Sequence, residues 1–291
     1  MEILLDKYFI LYRKGIAIGD QFCMSAILPL IYNTYNRKII VFTVYPELFK
    51  NNPYIEKVYN YRTCPWEMKA IFAKIKITNH KYIHKFYYNW QLPDPRRLKL
   101  IQWFSIGLPF DTSNCKPELY VDKEEENELN NKIKLPNKYY VIHSQGKKKN
   151  YNKDYGLDRI QYIVDKTSHI NWVQVGVNDD SKLSGDNVYN ICGLLSLREL
   201  CVVIKNAKTI LCMEGLLVHI AASFNVKCLC VTSDYVYPEL TAYENVTHIT
   251  RKNRHNDVCS KCNQWLCSCK YTEKYKWAKD IDPDSIVKLL I

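Results

Sequence analysis

Short runs rich in β-branched and aromatic residues alternate along the whole chain with longer stretches whose apolar positions recur every three or four residues. YFILY (Tyr8 to Tyr12), KIIVFTV (Lys38 to Val44), KVYNY (Lys57 to Tyr61), KYIHKFYY (Lys81 to Tyr88) and PELYV (Pro117 to Val121) read as strands. GDQFCMSAILPLIYNTY (Gly19 to Tyr35) and the segments Trp66 to Lys76 and Arg96 to Ile106 read as helices between them. Apolar strands of this kind, separated by helical periodicity, predict βαβ units on a parallel sheet.

The period lapses at DKEEENELNNKIKLPNK (Asp122 to Lys138), where charge and Asn replace apolar spacing ahead of a proline. A domain boundary near Pro136 is expected there, dividing the chain into 1–135 and 136–291. The pattern then restarts. YYVIHS, NWVQVG, TILCM and KCLCVT read as strands, and LDRIQYIVDKT, SLRELCVVIKNA and EGLLVHIAASF as the helices among them. The expected architecture is α/β: two Rossmann-like domains, their parallel sheets facing across a cleft. Ligands of such sheets gather beyond the carboxyl ends of the strands.

Composition narrows the class. A chain of 291 residues with 47% hydrophobic content can bury a substantial core. Its 41 basic against 30 acidic residues, a formal charge of +11, favour anionic partners such as nucleotides, nucleic acid or a phospholipid surface. No uninterrupted apolar run reaches the roughly 18 residues of a membrane span, and MEILLDKYFILYRKG carries an acidic residue where a signal peptide is positive. A cytoplasmic location is therefore expected. The 12 cysteines fall mostly in apolar segments, as reduced core thiols do.

Four constellations carry candidate chemistry. In RKGIAIGDQF, Gly15 and Gly19 suit a turn that lets an anion approach backbone N–H groups, and Asp20 at the helix start is either a cap or a catalytic carboxylate. In IHSQGKKKNYNKDYG, Ser144 and the lysines ending at Lys149 follow a strand directly, placed to bind a diphosphate or merely to solvate a loop. After TILCM, Glu214 and Gly215 make a turn, and the next helix carries His219 on its second turn. A Glu there can accept from a sugar hydroxyl while the helix N-terminus faces phosphate; the bland reading of His219 is a buried, satisfied side chain. Finally Cys259, Cys262, Cys267 and Cys269 form C-x2-C-x4-C-x-C, a spacing able to close a tetrahedral thiolate site or to hold redox-active thiols.

Together these segments resemble glycosyltransferase family 9, the ADP-heptose:lipopolysaccharide heptosyltransferases of GT-B fold. GIAIGDQFCMSAILPLI is similar to that family's opening turn and helix, and NNPYIEKVYNY to its Asn-Pro-Tyr stretch. KNY (Lys149 to Tyr151) stands at its Lys-x-Trp, and CGLLSLRELCVVIKNAKTILCMEGLLVHIAA at its Ser-Leu helix, strand, acidic turn and His-bearing helix. The resemblance implies that Asp20 is the general base, that Lys149 contacts the donor phosphates with Ser144 beside it, and that Glu214 and His219 line the donor pocket. The family usually has Asp, then Ser or Thr, then Gly, where this chain has Glu214, Gly215 and Leu216, so the nucleotide pocket differs. Relatives that glycosylate proteins carry Cys-bound iron, which makes structural zinc or iron the expectation for the Cys cluster.

The expected function is inverting transfer of a heptose or related sugar from a nucleoside-diphosphate donor to an acceptor hydroxyl. An ADP-sugar is favoured, and fixed cations and dipoles stabilise the leaving diphosphate with no cofactor or divalent ion. The acceptor is a glycan, a glycolipid or a protein, bringing peripheral contact with the inner face of a membrane into range. Rival readings are a GT-B-type sugar-nucleotide epimerase, an inactive scaffold, and a nucleic-acid-binding protein that uses the four-cysteine knuckle with Trp265; nucleic acid is the less favoured partner.

Overall fold

The computed structural model describes residues 2–86, 98–145, 153–234, 236–251 and 277–291. The chain divides into two compact units, Met1–Asp122 and Lys123–Ile291.

In the first unit, α1 (Glu2–Lys7) leads into β1 (Phe9–Tyr12), all of whose residues are buried. There follow α2 (Ile18–Phe22), a 3-10 segment (Cys23–Ile27), α3 (Leu28–Tyr35), β2 (Ile39–Thr43) and β3 (Ile55–Asn60). Next come α4 (Trp66–Ile77), β4 (Ile83–Lys85) and α5 (Leu100–Phe104). The strands pair in parallel, in the order β3-β2-β1-β4. The central pair, β1 and β2, is buried at every position, which is why it reads as continuous apolar runs rather than alternating ones.

Residues 19–35 do not form the single helix that their spacing predicts. Pro29 has no N–H to give the carbonyl of Ser25, and its ring crowds that carbonyl. The N–H of Leu28 bonds Ser25 instead, and the turn ahead of α3 tightens to 3-10. Residues 117–121 are likewise not a strand. Side chains satisfy this segment: the N–H of Glu118 donates to Ser25 Oγ (2.9 Å), and the Tyr120 hydroxyl to the Glu118 carboxylate (2.7 Å).

The second unit opens with α6 (Lys123–Lys132), β5 (Tyr140–Ile142), α7 (Leu157–Lys166), β6 (Trp172–Gln174) and β7 (Val188–Asn190). It continues with α8 (Leu197–Lys205), β8 (Thr209–Met213), α9 (Leu216–Phe224), β9 (Lys227–Val231), β10 (Val246–Ile249) and α10 (Pro283–Leu290). Its parallel sheet has the order β10-β9-β8-β5-β6-β7, the doubly wound arrangement of dinucleotide-binding folds. The core beneath it gathers Trp172, Tyr155, Ile160, Leu211, Leu229 and Ile286, all fully buried.

The charged stretch that suggested a break is helix α6, which opens the second compact unit at Lys123. Three glutamates occupy its first turn and Lys132 its last, matching the helix dipole. Ion pairs tie it to α8: Arg198 grips Glu125 with two bonds (2.8 and 2.6 Å), Lys205 reaches Glu126 (2.6 Å), and Lys132 reaches Glu199 (2.7 Å). A helix held by charge has no apolar period to read.

In each sheet the strand order reverses once, between β1 and β4 and between β5 and β8. The crevice beyond the carboxyl ends at such a point is where open α/β sheets bind ligands.

Candidate active site

Each switch point holds a buried cation–carboxylate pair. In the first unit Arg13 follows β1 directly, and its guanidinium pairs with Asp20; both side chains are under 10% exposed. Arg13 also donates to the carbonyl of Phe86, just past β4 (3.1 Å), and lies over the ring of Phe104 at 4.3 Å. It thus spans the two strands that border the reversal. Asp20 stands in the first turn of α2, but the N-cap is Ala17, with no side-chain cap bond. Its carboxylate goes to Arg13 instead of the helix end.

The turn between them is braced from three sides. Gln21, fully buried, donates to the carbonyls of Arg13 (3.1 Å) and Gly15 (3.0 Å) and accepts from Thr43 (2.8 Å). The Tyr61 hydroxyl both donates to Gly15 O and accepts from Gly15 N–H, each at 3.1 Å. That N–H is therefore directed at the tyrosine hydroxyl. Gly15 has φ +133°, a conformation that strains any residue with a Cβ. Gly19 sits within the first turn of α2, where its carbonyl accepts from the N–H of Cys23.

In the second unit β5 and β8 are neighbours, with Ile142 paired to Leu211. Glu214 follows β8 and forms an ion pair with Lys153; their side chains are 8% and 14% exposed. Lys153 is held in place by what comes after it. Asp154 accepts from Gly156 N–H (3.2 Å), and the fully buried Tyr155 donates to Ile281 O (2.7 Å). Gly215 is the N-cap of α9 and brings no side chain to that end, leaving backbone N–H groups beside Glu214.

His219, one turn into α9, is 2% exposed, and its Nδ1 shares a hydrogen bond with the Tyr243 hydroxyl (2.8 Å). Burial pushes its imidazole down to about 4; Glu214 opposes that shift and Lys153 adds to it. It is a neutral side chain behind the Lys153–Glu214 pair. Ser144 is fully buried, donating to Ser181 O (3.2 Å) and accepting from Gln174 Nε2 (2.8 Å). That hydroxyl ties the end of β5 to Ser181 and Gln174.

Lys149, Cys259, Cys262, Cys267 and Cys269 lie outside the described residues. Among the described residues no group of three or more His, Cys, Asp or Glu is arranged to hold a metal, and no helix is long and apolar enough to cross a membrane. Sequence reasoning passed over Arg13, Gln21, Lys153 and Tyr243. Arg13 directly follows β1, a signal available in the sequence, whereas Lys153 lies well past β5 and pairs with a carboxylate 61 residues away, and Tyr243 meets a histidine 24 residues away.

The arrangement can bind an anion at the second switch point and present an oriented carboxylate at the first. Comparisons with known proteins bear on the family and the fold. The model of Glycosyltransferase family 9 (heptosyltransferase) matches residues 79–269, a span that holds Lys153, Glu214 and His219 and begins after Asp20. A glycosyl transferase family 9 structure from Veillonella parvula DSM 2008 superposes with a TM-score of 0.72 at 12% identity, covering 97% of this chain and 96% of that one. ADP-heptose lps heptosyltransferase II of E. coli gives 0.69 at 14% identity, with 97% of each chain covered. TibC, an iron-containing dodecameric glycosyltransferase from enterotoxigenic E. coli H10407, gives 0.68 at 10% identity, covering 98% and 76%. At such identities the likeness shows the fold, which is GT-B. No curated protein matches the sequence.

Proposed function

This chain belongs to glycosyltransferase family 9, and we propose that it is an inverting transferase that moves a heptose or related sugar from an ADP-sugar to an acceptor hydroxyl. The observation that carries the proposal is the Lys153–Glu214 pair at the β5/β8 switch point, inside the matched segment and beside the N-terminus of α9. A departing nucleoside diphosphate gathers negative charge. Lys153 and the N–H groups of α9 meet that charge with donors fixed beforehand, and Lys149 adds a second cation on the sequence evidence. Glu214, held by Lys153, accepts from a hydroxyl of the ribose or sugar, and Gly215 lets the donor approach the backbone. His219 supports this corner from behind.

Asp20 takes the proton of the acceptor hydroxyl as its oxygen attacks the anomeric carbon. In support, the carboxylate is buried at a strand-end crevice and oriented by a planar guanidinium. The first unit is the acceptor side, the second the donor side, and the acceptor is a glycan, glycolipid or protein met at the cytoplasmic face of a membrane. No catalytic cofactor enters these steps. The four thiols from Cys259 to Cys269 are our candidate for a structural zinc or iron site, checked by metal analysis of the purified chain.

Thermal stabilisation by a panel of nucleoside diphosphates and sugar nucleotides tests the reading. A ligand at a hundred times its dissociation constant adds about 2.7 kcal/mol of stability. ADP compounds should stabilise the wild type and Asp20→Asn, and Lys153→Ala should lose most of the shift. Stabilisation by an oligonucleotide alone, or donor consumption without any acceptor, sinks the proposal.

A further inference from the structure

Helix α4 is apolar on two opposite faces, and the sheet covers one of them. Phe72 and Ile75 are buried, with Phe72 stacked between Phe42 and Tyr61 at 5.0 Å from each ring. On the other side Trp66 is 74% exposed and Ile77 84%. Ala70 and Ala73 lie between them, also exposed. Positions 66, 70, 73 and 77 share one face at helical spacing and make a narrow apolar stripe about 16 Å long.

Lysines border the stripe. Lys69 and Lys76 flank it on one side and Lys74 on the other, all exposed, and Glu67 is the helix's only carboxylate. An indole at one end, small residues along the middle and ammonium groups on both flanks is the pattern of a helix lying in a lipid headgroup layer. The rings and methyls enter the acyl boundary while the lysine stems reach back to phosphate. The net charge of +11 gives the whole chain the complementary sign.

We infer that the outer face of α4 docks on an anionic lipid bilayer. Because α4 is anchored through Phe72 and Ile75, the stripe is presented preformed, and docking orders nothing new in the helix. The surface rests on its own geometry and gives a location to the membrane contact proposed above. Transfer to a soluble acceptor, which α4 does not serve, reads the catalytic proposal separately.

Co-sedimentation with phosphatidylglycerol-rich and with pure phosphatidylcholine vesicles tests it. The wild type should bind the anionic vesicles and leave the zwitterionic ones. Trp66→Ala combined with Ile77→Ala should lose at least about tenfold in binding, and each Lys69→Gln, Lys74→Gln or Lys76→Gln about fivefold. Both apolar sites are exposed, so the thermal midpoint and soluble-acceptor transfer should not move. Trp66→Phe should retain binding but lose its share of the quenching by brominated lipid. Failure of the wild type to bind, unchanged binding by the Trp66/Ile77 variant, or self-association that this variant abolishes would overturn the inference. So would oligonucleotide binding that depends on the same lysines.

Discussion

At the β1/β4 switch point a guanidinium holds Asp20, and at the β5/β8 switch point an amine holds Glu214. Topology puts both pairs in equivalent places, yet their surroundings differ. Arg13 is fixed by a backbone carbonyl and an aromatic ring, and the turn carrying it by Gln21, Thr43 and Tyr61. Lys153 is a point charge on a flexible stem, steadied by the turn and the buried tyrosine that follow it. A planar fork sets a carboxylate's direction, which a base needs; an ammonium follows a phosphate that changes shape as it leaves. On the proposed roles, orientation is the demand in the first unit and charge in the second.

The largest effect expected falls on Asp20. Asp20→Asn should cut turnover by about a hundred- to ten-thousandfold while leaving ADP-sugar stabilisation in place, the usual range for loss of a general base. Exchanging the cations then breaks or sharpens the comparison. Arg13→Lys keeps a charge but loses the fork, and should lower turnover by at least about tenfold with donor affinity unchanged. Lys153→Arg should retain most of both. If Arg13→Lys turns over normally, orientation by Arg13 is not what the first unit provides.

The next effect is a pH dependence that belongs to the second unit. An unfolded imidazole takes up a proton near 6.5, whereas His219 in the folded chain does so near 4. Between those values the unfolded state binds more protons, so stability present above about pH 6.5 is lost as pH falls toward 4, by at most about 3 kcal/mol. Denaturant unfolding across this window should show the loss, and His219→Asn should flatten it. An unchanged acid limb in that variant would assign the dependence to other groups.

Much of this was legible in the sequence, for physical reasons that also mark where legibility ended. β1, β2, β8 and β9 were plain because strands covered on both faces stay apolar along their length, with Thr43, Thr209 and Lys227 only at their ends. Helix α6 was not, because Arg198 and Lys205 hold it where an apolar stripe would otherwise be needed. Asp20 stood out as an acidic residue at a helix start and Glu214 as one at a strand end. The partner of Glu214 did not, since Lys153 lies sixty-one residues away, and the pairing of Arg13 with Asp20 depends on a turn geometry that the sequence does not spell out. The partners of Ser144 were not legible either, because a hydroxyl after a strand reads the same whatever it bonds, and its bond to Gln174 spans thirty residues.

The smallest expected effect tests how far the second half-site extends behind its charged pair. Tyr243→Phe removes the hydroxyl at 2.8 Å from His219 Nδ1 and leaves the ring packed edge-on against the imidazole, at 5.8 Å between centroids. Losing one buried hydrogen bond should cost about 1 kcal/mol, read as a shift in the denaturation midpoint. Donor affinity should change little, because Tyr243 acts on a histidine that itself sits behind Glu214 and Lys153. If affinity instead falls as far as in Lys153→Ala, the imidazole's position is set for the nucleotide and not for packing. The second unit would then share the demand for orientation that distinguishes the first.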